Sequence, residues 1–152
     1  MHAFEYCVGF KTPLEIPNSL TTIEPYTFSQ CWGFTKLILP ESLIRLQTGS
    51  FYNCTGLNED LSMPSSVRYI ESYAFYNCFR LPGPLDLSHI EGPIGSYAFY
   101  SCSKLGLLTL GDGIKGISAY SFYQCTDLIG HLKVPMFCHY VHDYAFYGCS
   151  KL

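Results

Sequence analysis

The stretch ESYAFYNCFRL, Glu71 to Leu81, returns with few changes as GSYAFYSCSKL at Gly95 to Leu105 and as HDYAFYGCSKL at His142 to Leu152. Each copy carries one cysteine. Aligned on it, Cys7, Cys31, Cys54, Cys78, Cys102, Cys125 and Cys149 follow one another at 24, 23, 24, 24, 23 and 24 residues, and only Cys138 falls outside the series. Self-similarity at a fixed period of roughly 20–30 residues marks a solenoid, in which each repeat buries an apolar row that it could not bury alone.

The alignment fills in the rest of the unit. Phenylalanine stands three residues before each cysteine, from Phe4 and Phe28 through Phe146, and a large apolar residue stands three after, from Phe10 and Phe34 through Leu152. Five residues before the phenylalanine comes Ile23, Leu46, Ile70, Ile94, Ile117 or Val141. Three residues earlier stands Leu20, Leu43, Val67 or Ile114, with Glu91 and Cys138 as exceptions. Alternating triplets begin at Leu14, Leu37, Leu61, Leu85, Leu108 and Leu132. Period-two alternation over so short a span predicts half-buried strands, six of them, stacked in parallel at about 4.8 Å. Pro17, Pro40, Pro64 and Pro135 stop the strands, because proline cannot donate to a ladder. The two 23-residue units are short at one joint, the loop before the strand at Phe34–Leu37 and Leu105–Leu108.

The YAFYNC segment sets Phe and Cys at i and i+3, one face of a helical turn. A helix is about 10 Å wide, so a row of them should spread more than the strand edge and bend the array. Neighbouring helical turns about 8–10 Å apart would also hold the cysteines too far apart for disulfides, which leaves the row as small apolar filler.

The pattern L-x-[ILV]-P-x-[SG]-[LV]-x-x-I-x-x-x-A-F-x-x-C-x-x-L, running from Ala3 to Leu152, resembles the BspA-like class of leucine-rich repeat. Thr27, Ser50 and Ser121 replace the alanine and are small enough for its slot. The commoner leucine-rich repeats, with an asparagine ladder after the strand, fit less well because proline stands there. The resemblance implies a right-handed α/β solenoid, with short parallel strands on one face and short helical turns on the other. It further implies a binding or adhesive role, commonly at a cell surface. A true start at Met1 would instead fit a cytoplasmic protein. Residues 1–152 read as a single array of six full repeats plus a terminal partial one. The chain begins inside a turn and stops before its next strand, without a polar cap, as a fragment or an uncapped segment would.

Composition narrows the function. The chain is 48% hydrophobic and 14% charged, ample for a core, and its net charge of −3 carries no basic block for phosphate, so nucleic acid is not an expected partner. No apolar run reaches the roughly 18 residues of a membrane span. MHAFEYC has no charged segment followed by an apolar one, so no signal peptide is read there. No C-x-x-C occurs, and no Ser-His-Asp set, paired carboxylate or phosphate loop stands in a fixed frame; GDGIKG at Gly111 lacks the GK[ST] of a P-loop. No enzyme activity and no cofactor are expected. Cys138, His139, His142 and Cys149 make the one metal-like cluster, but their repeat positions point Cys138 inward and His142 outward, so no metal is expected either. NCT at Asn53 is a glycosylation sequon for a secreted chain, and the final SKL repeats the SKL of Ser103–Leu105 and so reflects repeat phase.

Two surfaces remain as candidates for protein partners. The outward strand residues are Glu15, Ile38, Ser62, Asp86, Thr109 and Lys133, flanked by Lys36, Asp60, Leu107 and His131. Their variety suits a specific partner and equally suits plain exposure. Tyr26, Tyr73, Tyr97, Tyr120 and Tyr144 form one row, and Tyr52, Tyr76, Tyr100, Tyr123 and Tyr147 another. Of these, Tyr76, Tyr100 and Tyr123 are the binding candidates, since tyrosine offers wide apolar area and a hydroxyl. The alternative is that each ring half-buries against the next repeat. The chain is thus expected to be a non-catalytic protein-binding or adhesion module. The rival is a structural solenoid that packs against copies of itself.

Overall fold

The backbone hydrogen bonds of this chain run mostly from coil to coil, and their destinations define the architecture. The computed structural model describes residues 2–152, and among these it has seven short strands. On the strand face, β1 (Leu14–Glu15) pairs in parallel with β3 (Leu37–Ile38), and β6 (Gly83–Leu87) with β7 (Leu105–Leu110). Four of the six expected triplets therefore lie in ladders. Leu61–Met63 keeps the alternation, with Ser62 exposed between two buried neighbours, but makes no ladder; Leu132, Lys133 and Val134 are all exposed. The register of β6 on β7 slips between Gly83 and Leu85, at the joint where that unit is one residue short. Gly106 and Leu107 of β7 face Pro84 alone there, a bulge in the strand of the shorter unit.

A second parallel ladder lies one turn further along each coil: β2 (Thr22–Ile23), β4 (Arg45–Leu46) and β5 (Tyr69–Ile70). It continues through the bridges Ile70 to Ile94, Ile94 to Ile117 and Ile117 to Val141. The sequence marks these positions only as an apolar row. Their ladder spans all six, longer than that of the strand triplets.

The expected helical turns are not there: no described residue is helical. Each YAFYNC segment folds instead into turns, with Tyr76 N–H donating to Tyr73 O at 3.1 Å and Cys78 N–H to Phe75 O at 3.2 Å. Those i+3 bonds explain why Phe and Cys share a face. The remaining donors go sideways: Tyr73, Phe75 and Asn77 N–H bond Ser96, Ala98 and Tyr100 carbonyls of the next coil at 2.9, 2.7 and 2.7 Å. Two left-handed residues per coil make this possible, here Tyr73 (φ 61°) and Asn77 (φ 57°), in the next coil Tyr97 and Ser101. A left-handed residue every four positions cannot continue an α-helix.

Turns take less room than helices. The core phenylalanines stack ring on ring from Phe28 to Phe146 with centroids 5.1–5.5 Å apart, close to the strand spacing of about 4.8 Å. The 10 Å helix spacing on which the expected bend rested is absent. The core itself follows the frame: Phe51, Phe75, Phe99, Phe122, Leu57, Leu81 and Leu105 are fully buried. Ser50 and Ser121 occupy the alanine slot of Ala74 and Ala98, buried with no partner for their hydroxyls. At the exception Glu91, the preceding Ile90 turns inward instead, while Glu91 lies outside and pairs with Arg68 at 3.0 Å.

Candidate functional site: the strand face and the tyrosine flank

All six outward strand residues are exposed. Glu15 and Ile38 are ladder neighbours, as are Asp86 and Thr109. Shallow cavities between coils join others of the set: one of about 210 Å³ brings Ile38 and Ser62 together, and one of about 290 Å³ brings Thr109, His131 and Lys133 together. Beside them Leu107 bridges to Ile129, and the two are 50% and 46% exposed, so the face has an apolar spot as well as mixed polarity. Ile129 was outside the predicted set, because it falls in the joint rather than in a triplet. The Asp86 carboxylate accepts the Ser88 N–H at 2.9 Å, which holds its carboxyl below the usual carboxylate range. Flanking Lys36 is paired with Glu59 at 3.2 Å, and Asp60 lies against Gly83.

The tyrosine rows are continuous stacks. Tyr52, Tyr76, Tyr100, Tyr123 and Tyr147 follow at 4.7, 4.8, 4.9 and 5.1 Å, nearly parallel. Tyr73, Tyr97, Tyr120 and Tyr144 follow at 4.9, 4.8 and 5.0 Å. The rows lean on each other at 5.6–5.8 Å within a coil. Neighbouring rings cover one another's faces, so Tyr76, Tyr100 and Tyr123 are half-buried and offer edges and hydroxyls rather than flat apolar area. The phenols of Tyr73 and Tyr76 are raised above their ordinary value of 10.0, by burial first and then by the neighbouring phenols. The first row breaks at Gly49 (φ 61°), where an added Cβ would lie 2.3 Å from the Tyr26 ring.

Behind the rings the thiols form their own file. Cys54, Cys78, Cys102 and Cys125 are buried, and each Sγ donates to the phenylalanine carbonyl of the preceding coil, Cys78 to Phe51 O at 3.2 Å and Cys102 to Phe75 O at 3.0 Å. Burial pushes the Cys31 thiol up from 9.0 to about 11 and the Cys78 thiol to about 12, and raises Cys54, Cys102 and Cys125 as well. All eight cysteines are free. Filler is the right description, but not for the helical spacing expected of it; turn-bonded coils sit close, and the thiols are engaged by carbonyls. Among the described residues no group of three or more His, Cys, Asp or Glu is placed to hold a metal. Cys138 Sγ turns to Tyr140 O and Cys149 Sγ to Phe122 O. At the sequon, Asn53 Oδ1 accepts Asn77 Nδ2 at 2.7 Å.

One feature had no periodic signal. Arg45 lies 4.2 Å over the Tyr69 ring and 3.2 Å from Glu71, whose carboxylate also accepts Thr48 N–H and Oγ1 at 3.2 Å each. A cavity of about 310 Å³ opens beside them, lined by Ser72, Ser96 and Ser118. Gly95 stands where the coil before has Glu71, and an added Cβ there would lie 2.3 Å from the Glu71–Ser72 backbone, so glycine permits the close approach of the two coils and leaves no legible motif.

The chain matches the BspA type leucine rich repeat region in six copies over residues 1–83 and 85–152. No curated protein matches it. The crystal structure of a leucine rich repeat protein from T. pallidum is similar with a TM-score of 0.88 and 26% identity, covering 100% of this chain and 69% of that one. A leucine-rich repeat protein from Eubacterium ventriosum gives 0.63 at 22% identity over 91% and 42% of the two chains. A leucine rich cell surface protein from Faecalibacterium prausnitzii gives 0.53 at 19% over 99% and 54%. The last two likenesses speak for the fold alone. With the A-F-x-x-C frame buried as one core and six family copies spanning the array, the chain belongs to the BspA-type leucine-rich repeat family.

Proposed function

We propose that this chain is a non-catalytic protein-binding module that engages a protein partner through its strand face, in an adhesive or recognition role at a cell surface. The observation that carries the reading is the contrast across one strand. Glu15, Ile38, Ser62, Asp86, Thr109 and Lys133 differ in charge, size and polarity and are all exposed; under the central four the inward Leu37, Leu39, Leu61, Leu85, Leu87 and Leu108 hold a nearly constant buried floor, whereas Lys133 stands over none, its neighbours Leu132 and Val134 being exposed. A rigid scaffold presenting varied side chains at fixed pitch suits recognition. The surface location is what the family resemblance implies. The tyrosine edges are the weaker candidate, since their faces are already used.

The test is to immobilise the chain and measure binding to a panel of extracellular-matrix and cell-surface proteins. For a partner so found, the triple variant I38D/D86R/T109R should lose binding at least tenfold, while Y76F, Y100F and Y123F leave it unchanged. Wild-type affinity in the triple variant would sink the strand-face reading. The rival, a solenoid packing on copies of itself, rests on a different observation. An apolar cavity of about 500 Å³ lies among Phe4, Phe10, Phe28 and Phe34, with Phe4 and Phe10 47% and 48% exposed. Concentration-dependent sedimentation that F10D abolishes would favour it.

A further inference from the structure

The tyrosine rows place a long run of phenols in face-to-face contact on a half-exposed flank, one ring per coil in each row. Between Tyr76 and Tyr100 the centroids are 4.8 Å apart with rings 8° from parallel, and between Tyr97 and Tyr120 they are 4.8 Å apart at 5°. Such stacking sets the ring carbons ortho to each hydroxyl beside those of the next ring. None of Tyr73, Tyr76, Tyr97, Tyr100, Tyr120 or Tyr123 is fully buried, and none of their hydroxyls is among the buried atoms without a partner. The readily oxidised thiols that would compete lie elsewhere: Cys78, Cys102 and Cys125 are fully buried, protonated and engaged by carbonyls.

We propose that this flank is an oxidative cross-linking site, at which a peroxidase-class one-electron oxidant working with hydrogen peroxide joins tyrosines of adjacent coils into dityrosine. Each of two neighbouring phenols gives up one electron and its hydroxyl proton. The two phenoxyl radicals then form a carbon–carbon bond between their ortho positions. The hydrogens displaced at those carbons move to the oxygens and restore two phenols. In net, two hydrogen atoms leave the protein for each bond made, and one hydrogen peroxide becomes two waters. Stacking favours the reaction within one molecule, because a radical meets its neighbouring ring without diffusion. The product is a covalent tie between coils one repeat apart, which removes conformations from the unfolded chain as a disulfide does. Under oxidative conditions the solenoid would be stapled along the flank where its coils are already bonded.

The sequence makes the test clean, because trypsin puts each central coil's tyrosine pair on its own peptide: 69–80, 81–104, 116–133 and 134–151. The full chain, with accessible thiols alkylated beforehand, is treated at low concentration with horseradish peroxidase and hydrogen peroxide, then analysed by intact mass and peptide mapping. The expected product is a monomer lighter by two hydrogens per bond, with peptide 69–80 joined to 81–104 and 116–133 joined to 134–151. The double variant Y97F/Y100F keeps every ring in its stack but removes both phenols of one coil. It should lose the join of 69–80 to 81–104 at least tenfold while retaining that between 116–133 and 134–151. An unchanged monomer mass, joins found only between molecules, or survival of the 69–80 to 81–104 join in the double variant would each overturn the proposal.

Discussion

Replacing Phe75 with alanine probes the fold where it is most determined. The ring is fully buried, stacked between Phe51 at 5.3 Å and Phe99 at 5.5 Å, with Cys102 Sγ bonded to its carbonyl. Truncation leaves a cavity that two flat neighbours and turn-bonded backbone cannot close, and core Phe→Ala changes cost about 3–5 kcal/mol. Each lost stack adds on the order of 0.5–1.5 kcal/mol beyond area, so the upper half of that range, about 4–5 kcal/mol, is expected. Tyr76 is the control, one residue on and also doubly stacked, on Tyr52 at 4.7 Å and Tyr100 at 4.8 Å, yet half-exposed. Tyr76→Ala should cost about 1–2 kcal/mol, since it loses stacking without opening a sealed cavity. Urea titration followed by circular dichroism gives both numbers from one series. If Tyr76→Ala proves as damaging as Phe75→Ala, the inward and outward rows have been assigned the wrong way round and the core is not where the phenylalanines are.

Four further outcomes are expected. Ser101 sits at φ 56°, so Ser101→Gly should stabilise by about 0.5–1 kcal/mol, whereas glycine within a helix would destabilise by a similar amount; the sign of the shift in urea midpoint separates turn from helix. Ser121→Ala removes a buried hydroxyl without a partner and restores the slot to that of Ala98, and should raise the thermal midpoint with a gain of about 1 kcal/mol. Alkylation of the folded chain at pH 8 should reach Cys7 and Cys138 first and Cys78 and Cys102 only on unfolding, as read by mass spectrometry. Because folding raises the Cys31 and Cys78 thiols from 9.0 to about 11 and about 12, the unfolded chain loses those protons first. Their contribution to stability is full below pH 9 and is lost as pH rises from 9 toward 12, so the urea midpoint should fall across that window.

What the sequence revealed and what it hid divide along one physical line. Side-chain periodicity was legible because burial enforces it. Phe75, Cys78 and Leu81 recur since each stacks on its own counterpart, and the triplets at Leu85 and Leu108 alternate because β6 and β7 pack one face. Backbone conformation was not legible from that frame. An i, i+3 spacing fits a helical turn and a β-turn alike, and what separates them is the left-handed residue before each cysteine. A signal for it stands in Asn53, Asn77, Ser101 and Gly148, residues that are small or tolerate positive φ, but the companion position is held by tyrosine, which by itself predicts the opposite. The second ladder was hidden for another reason: Thr22–Ile23 and Tyr69–Ile70 are two residues long, too short to alternate. Of the candidate site, the six outward strand positions followed from the triplets. Ile129 and the Arg45–Tyr69–Glu71 groove break the repeat and therefore carried no periodic mark.

The sideways hydrogen bonds carry a mechanical consequence. Load applied to the two ends of the chain falls first on the outermost coil, whose ladders open one bond after another while the inner coils stay shielded. A freed unit of 23 or 24 residues pays out roughly 80 Å of contour at about 3.3–3.6 Å per residue. Tension on this chain would therefore be relieved in near-equal steps, coil by coil, like a spool unwinding rather than a fibre snapping.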